Sequence, residues 1–387
     1  MVKKVLFAAD FRNPEKDATS TQIMNANILK GFCSVSDECI LLAMVTNQSD
    51  CEIIRNYYKS FADEIYFVPR ITGKNNNIAD LLAMVKGCIS VRFDGERQLA
   101  ELIDEDTYLV SQSPTIDAAL LCKNLMKYKK PKRYIQYWCD PIALSLQTPE
   151  QFSFKRRVFY AIEHRLHRFA DNIVYGTKSL FEAQKMLFAG TSDVNRMSYC
   201  DVAYIDREPM NLHTEDGLVF GYIGNYYSNI RDLQPLYRVF QSFTDNKRLI
   251  ICGESDLSLT STENTTVMNR VPQSEVHRIE RMVNVEICLL NRVGIQIPGK
   301  VFYEANTDKL IIVIVDGPWG EQMRNYLFEF RRFVFCDNTE DSIRQVLCGI
   351  DNSKIAVDKS QVYRLSPEYV ARSILNGGYS EENAEKR

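Results

Sequence analysis

The feature that most narrows the fold is an alternation that runs through the chain twice. Short β-branched or apolar runs at Val5–Ala9, Ile40–Val45, Ile65–Val68, Thr107–Val110, Tyr134–Tyr137 and Ile173–Tyr175 have longer amphipathic stretches between most of them. That order predicts right-handed βαβ units and a parallel sheet covered by helices. A polar stretch, Asp206–Gly217, interrupts the pattern as a linker. The pattern then resumes with Leu218–Ile223, Arg248–Cys252, Thr266–Met268, Val285–Leu290, Leu310–Val315 and Phe333–Cys336. The expected fold class is α/β, with two Rossmann-like domains facing one another across a cleft, at 1–206 and 207–365. Ser366–Leu375 reads as a helix with Ser366 as N-cap and Pro367 at its first position, packing back on the N-terminal domain. From Asn376-Gly-Gly onward the expectation is a frayed tail to 387.

Composition removes several function classes. A chain of 387 residues that is 45% hydrophobic and 25% charged is globular and large enough for two cores. A net charge of -3 argues against a nucleic-acid binder. The eleven cysteines are odd in number and form no Cys-x-x-Cys pair, which fits reduced core thiols better than a disulfide frame or zinc site. The opening Met1–Ala9 reads as a first strand rather than a signal peptide, and no run approaches eighteen apolar residues. A cytoplasmic protein is expected. Residues 123–168 hold eleven Lys and Arg against three acids, interleaved with Tyr128, Phe154, Phe159 and Phe169. That stretch reads either as a solvated cationic face or as one that lies on anionic lipid at the inner face of the cell membrane.

Ligands of open α/β sheets bind beyond the carboxyl ends of the strands, so the loops there are where chemistry is sought. After Ile223, the sequence Gly224-Asn225 through Arg231-Asp232 runs from a strand into an apolar-periodic helix. Glycine permits close backbone approach, and Arg231 can grip a phosphate bidentately. After Leu290, Gly294 and the turn Pro298-Gly299 lead to Lys300, a compact cation, and to Glu304, spaced to accept from a ribose diol. The plain alternative is a surface Lys–Glu pair at i, i+4. Asp140, after the strand Tyr134–Tyr137, reads as a base or hydroxyl-positioning group, or simply as a turn aspartate before Pro141. Asp10 and Arg12 carry the same ambiguity. Asp104-Glu-Asp106 matches a metal-binding Asp-x-Asp only superficially, because it precedes its strand. His164, His167, His213 and His277 show no metal spacing with a third ligand.

The order Gly221-Tyr-Ile-Gly224, Leu249-Ile-Ile-Cys-Gly253, Val271-Pro-Gln-Ser-Glu275, Ile295-Gln-Ile-Pro-Gly-Lys300-Val-Phe-Tyr-Glu304 and Val315-Asp-Gly-Pro318 resembles the C-terminal half of GT-B glycosyltransferases. It is most similar to the retaining "family four" group that builds bacterial surface polysaccharides. Ser111-Gln-Ser-Pro114, Tyr137-Trp-Cys-Asp-Pro141 and Ala170–Ser179 extend the similarity, more loosely, to the N-terminal half. The resemblance implies transfer of a sugar from a nucleotide-sugar, UDP- or GDP-linked, to a glycan or lipid-linked acceptor, with retention, without a metal and without a cofactor. It implies that Arg231 and Lys300 hold the diphosphate, that Glu304 holds the ribose and that Gln296 stands where the family places an acid near the donor sugar. Asn225 replaces the family's usual arginine. Two rival readings stand beside it: a nucleotide-sugar 2-epimerase of the same fold, whose usual cleft histidines the four histidines here do not match, and a catalytically silent nucleotide-sugar-binding partner of a transferase complex, suggested by Gln296 and Asn225.

Overall fold

The computed structural model describes residues 2–13, 19–45, 48–71, 92–113, 116–144, 154–205, 217–243, 247–350 and 357–380. The chain divides into two compact units, Met1–Ala203 with Ser366–Arg387, and Tyr204–Leu365. Most of the expected linker, the middle of the basic stretch, His213 and the last seven residues lie outside the described residues.

The first unit is built on β1 (Val2–Asp10), β2 (Ser36–Val45), β3 (Glu64–Ile71), β4 (Arg92–Phe93), β5 (Thr107–Gln112), β6 (Arg133–Trp138), β7 (Asn172–Tyr175) and β8 (Met197–Tyr199). Between them lie α1 (Ser20–Val35), α2 (Cys51–Tyr58), α3 (Glu96–Ala100), α4 (Ile116–Leu125), α5 (Phe154–His167) and α6 (Lys178–Leu187). The sheet order is β4-β3-β2-β1-β5-β6-β7-β8, parallel except for the antiparallel β4 edge. Val5 to Ala9 are fully buried, as a strand covered on both faces requires.

The second unit carries β9 (Leu218–Ile223), α7 (Gln234–Gln241), β10 (Lys247–Cys252), β11 (Thr265–Met268), α8 (Gln273–Met282), β12 (Val285–Leu289), α9 (Lys300–Tyr303), β13 (Leu310–Val315), α10 (Gly320–Phe328), β14 (Val334–Asp337) and α11 (Glu340–Gly349). Its sheet is wholly parallel, in the order β11-β10-β9-β12-β13-β14. The order reverses between β9 and β12, so the loops beyond their carboxyl ends diverge from a single point.

α12 (Pro367–Leu375) belongs to the first unit. The Ser366 hydroxyl accepts from the Tyr369 N–H at 3.2 Å, the cap that the sequence predicts. α12 packs on α1 so closely that a Cβ at Gly31 would overlap the Pro367 carbonyl oxygen. The expectation of a tail frayed from Asn376 needs correction as far as Tyr379. Gly377 and Gly378 take positive φ, which lets the backbone lie against Asn172 and Ser198, and Tyr379 bridges Tyr199.

His164 and His167 are also explained within this unit. Both Nδ1 atoms meet Asp193 Oδ2, at 2.7 and 3.2 Å, while Arg196 donates to Asp193 Oδ1 at 2.7 Å. Asp193 is fully buried, so Asp193→Ala leaves the polar groups that converge on it without their acceptor. The expected loss is about 3–5 kcal/mol in urea unfolding; a loss below about 1 kcal/mol would contradict this assignment. Asp104 and Asp106 pair with Lys4 and Lys3 at the opposite strand end.

Candidate functional site

At the carboxyl end of β9 the backbone turns through Gly224, whose φ of 147° is open to glycine. Its N–H donates to the Cys252 carbonyl at 2.8 Å, and a Cβ at Gly253 would overlap the Gly224 carbonyl, so the β9 and β10 loops lie in contact. Lys300 enters from the start of α9. Its ammonium donates to the Ile223 carbonyl, lies 3.3 Å from Glu286 and sits 4.5 Å above the Tyr222 ring. It also stands 3.9 Å from where a Gly224 side chain would begin.

Glu286 is the partner that fixes this lysine. It projects from β12 with 3% exposure, in register with Gly221 of β9. Burial raises its carboxyl above the usual range, although Lys300 and Lys309 pull it down. Burial works to lower Lys300, but Glu286, Cys288 and Tyr222 outweigh it and hold the ammonium above the ordinary lysine range. Lys300 is therefore charged throughout the physiological range.

Arg231 approaches the same backbone from the other side. Its Nη1 donates to the Asn225 carbonyl at 3.1 Å and its Nε to Asn291 Oδ1 at 2.7 Å. Asn291, 2% exposed, passes the contact on by donating to the Gln296 carbonyl at 2.8 Å. The Gln296 side chain is buried, and its Oε1 has no hydrogen-bond partner among the described residues. Asn225 Oδ1 accepts from the Glu254 N–H at 3.1 Å, bracing the β10 loop. Gly294 turns the loop at φ 74°, and the carbonyls of Pro298 and Gly299 accept from Val301 and Phe302 to start α9. Gly224, Asn225, Arg231, Gln296 and Lys300 thus gather around the β9–β12 switch point.

Glu304 lies at the very end of α9. Spacing of i, i+4 places it on the face of Lys300 only if the helix continues, but α9 ends at Tyr303 and Glu304 caps it. Its side chain is 5% exposed and turned inward, 3.4 Å from the buried ammonium of Lys309. This carboxylate is a member of an internal ion pair with Lys309.

In the first unit Asp140 follows β6, and its backbone N–H donates to Ser113 Oγ at 3.2 Å. Burial raises its carboxyl above the usual range. Asp10 at the end of β1 accepts from Arg12 at 3.1 Å, while Gln22 and Asn25 bind its carbonyl.

No family model matches this sequence, and no curated protein matches it. Solved structures do. The apo form of the lipopolysaccharide outer core galactosyltransferase WaaB is 12% identical, over 97% of each chain, with a TM-score of 0.54. A putative UDP-N-acetylglucosamine 2-epimerase from Listeria monocytogenes is 11% identical, over 97% of this chain and 96% of its own, with a TM-score of 0.54. A mutant of S. aureus TarM, in complex with Fondaparinux, alpha-GlcNAc-glycerol and UDP, is 11% identical, over 99% of this chain and 98% of its own, with a TM-score of 0.53. The fold is GT-B. At such identities the likeness speaks for architecture, and the GT-B fold houses both transferases and epimerases among these neighbours. No helix among the described residues is long and apolar enough to cross a membrane.

Sequence reasoning missed Glu286 and Asn291, the groups that hold Lys300 and Arg231 in place. A signal for the first existed: a glutamate inside Val285-Glu-Ile-Cys-Leu289 must be paired when its strand is buried.

Proposed function

We propose that this GT-B chain is a glycosyltransferase that moves a sugar from a UDP- or GDP-sugar to a saccharide or lipid-linked acceptor in cell-surface glycan synthesis. One observation carries the reading: two cations, Lys300 from α9 and Arg231 from the loop after β9, converge on the backbone of Ile223–Asn225. An ammonium has three N–H bonds, of which Ile223 and Glu286 take two, and Nη2 of Arg231 donates to none of the described residues. The remaining donors are fixed in advance and meet a diphosphate without reorganisation.

In the reaction the bond from the anomeric carbon to the diphosphate oxygen breaks, and a bond to the acceptor oxygen forms. The acceptor proton goes to the departing diphosphate. Lys300 and Arg231 stabilise the charge that develops there, no protein nucleophile or metal is required, and retention follows when the acceptor attacks on the face that the diphosphate leaves. The buried Gln296 Oε1 accepts from a hydroxyl of the donor sugar. UDP in the TarM complex supports a uridine donor. The first unit takes the acceptor, and the basic residues of 123–144 and 154–168, with Phe154 79% exposed, meet anionic lipid.

A thermal-shift screen against UDP, GDP, ADP, CMP and their sugar conjugates tests the donor site. At a hundred times Kd, one of them is expected to stabilise the chain by about 2.7 kcal/mol. Arg231→Ala should lose most of that shift. The absence of any shift at millimolar ligand overturns the reading.

A further inference from the structure

The loop 139–144 follows β6 at the carboxyl edge of the first sheet and carries Asp140. Its backbone N–H groups are held by side chains. Ser113 Oγ accepts from the N–H groups of Cys139 and Asp140, at 3.0 and 3.2 Å. From α5, Glu163 accepts from the N–H of Ala143 at 3.1 Å and from that of Ile142. Pro141, between them, has no N–H to place. Every N–H from 139 to 143 is therefore taken by one of two side chains.

Glu163 is fully buried, and its second oxygen has no hydrogen-bond partner among the described residues. A fully buried carboxyl with one oxygen unmatched carries a desolvation cost that its two backbone contacts offset in part. Asp140 accepts no hydrogen bond or ion pair from the described side chains that surround it, so its carboxyl is the open polar group that this loop presents.

We propose that Glu163 is a positioning residue: with Ser113 it clamps both ends of the 139–144 turn and so aims Asp140 at the acceptor hydroxyl. The proposal rests on the reading of the first unit as the acceptor domain. Asp140 then orients the nucleophilic hydroxyl, and Glu163 never touches substrate.

The test compares the full chain with Glu163→Leu, Glu163→Gln and Ser113→Ala, using steady-state kinetics with donor and acceptor varied separately, and hydrogen exchange of peptides covering 139–144. In Glu163→Leu the acceptor KM is expected to rise about tenfold or more with donor KM within about twofold, and exchange at 142–143 to quicken at least about tenfold. Ser113→Ala should show the same split, with faster exchange at 139–140. Glu163→Gln, whose amide oxygen still accepts, should stay within about threefold in both. Unchanged exchange in Glu163→Leu, or donor and acceptor KM moving together, overturns the proposal. A wild-type chain that turns over no nucleotide-sugar sinks the transferase reading instead, and the exchange comparison still decides whether the clamp exists.

Discussion

Lys300→Met is expected to weaken nucleotide binding by about a hundredfold or more and to destabilise the second unit by about 3–5 kcal/mol. The two effects have separate causes. Binding falls because the cation at the end of β9 is gone. Stability falls because Glu286, 3% exposed on β12, keeps its charge cost without its partner. Adding Glu286→Leu separates them: the double variant replaces a buried pair by apolar groups and should regain most of the lost stability, yet still fail to bind. Urea unfolding and calorimetric titration read the two quantities. A double variant that binds nucleotide normally would make Lys300 a purely structural residue.

The second large effect concerns pH. Burial pushes the Glu163 carboxyl up to about 8, while the two backbone N–H groups pull it down. In the unfolded chain the group titrates near 4.5. Between those values the folded state holds a proton that the unfolded state has lost, so stability falls as pH rises, by up to about 1.4 kcal/mol per pH unit. The contribution is fully present below pH 4.5 and gone above about 8. Glu163→Gln removes this term and leaves the others in place. The difference in unfolding free energy between variant and wild type should therefore shift steadily in favour of Gln from pH 5 to pH 8. Parallel profiles across that range would contradict the burial argument.

The strands of both sheets were legible because each is a short apolar run bounded by polar loops, and a parallel sheet covered by helices leaves that signature. β4 and β8 escaped notice, being two and three residues long and without a repeating pattern of their own. The loop from Gly294 to Lys300 was legible from its glycines and proline. What holds Lys300 was not, because Glu286 lies fourteen residues away on a strand and meets it only through the pairing of β12 with β9. The spacing of Glu304 from Lys300 presumes a helix that in fact stops one residue earlier, so the i, i+4 face was not legible. Asp140 could be named from its position after a strand, whereas the clamp around it joins β5, β6 and α5, and no spacing in the sequence encodes that meeting.

The central claim is that the diphosphate of a nucleotide-sugar sits at the carboxyl ends of β9 and β12. A crystal structure with the nucleoside diphosphate selected by the thermal-shift screen tests it directly. Phosphate oxygens are expected within hydrogen-bond reach of Lys300 Nζ, Arg231 Nη2 and the backbone at Gly224. A nucleotide bound elsewhere, with those three groups unoccupied, would contradict the claim.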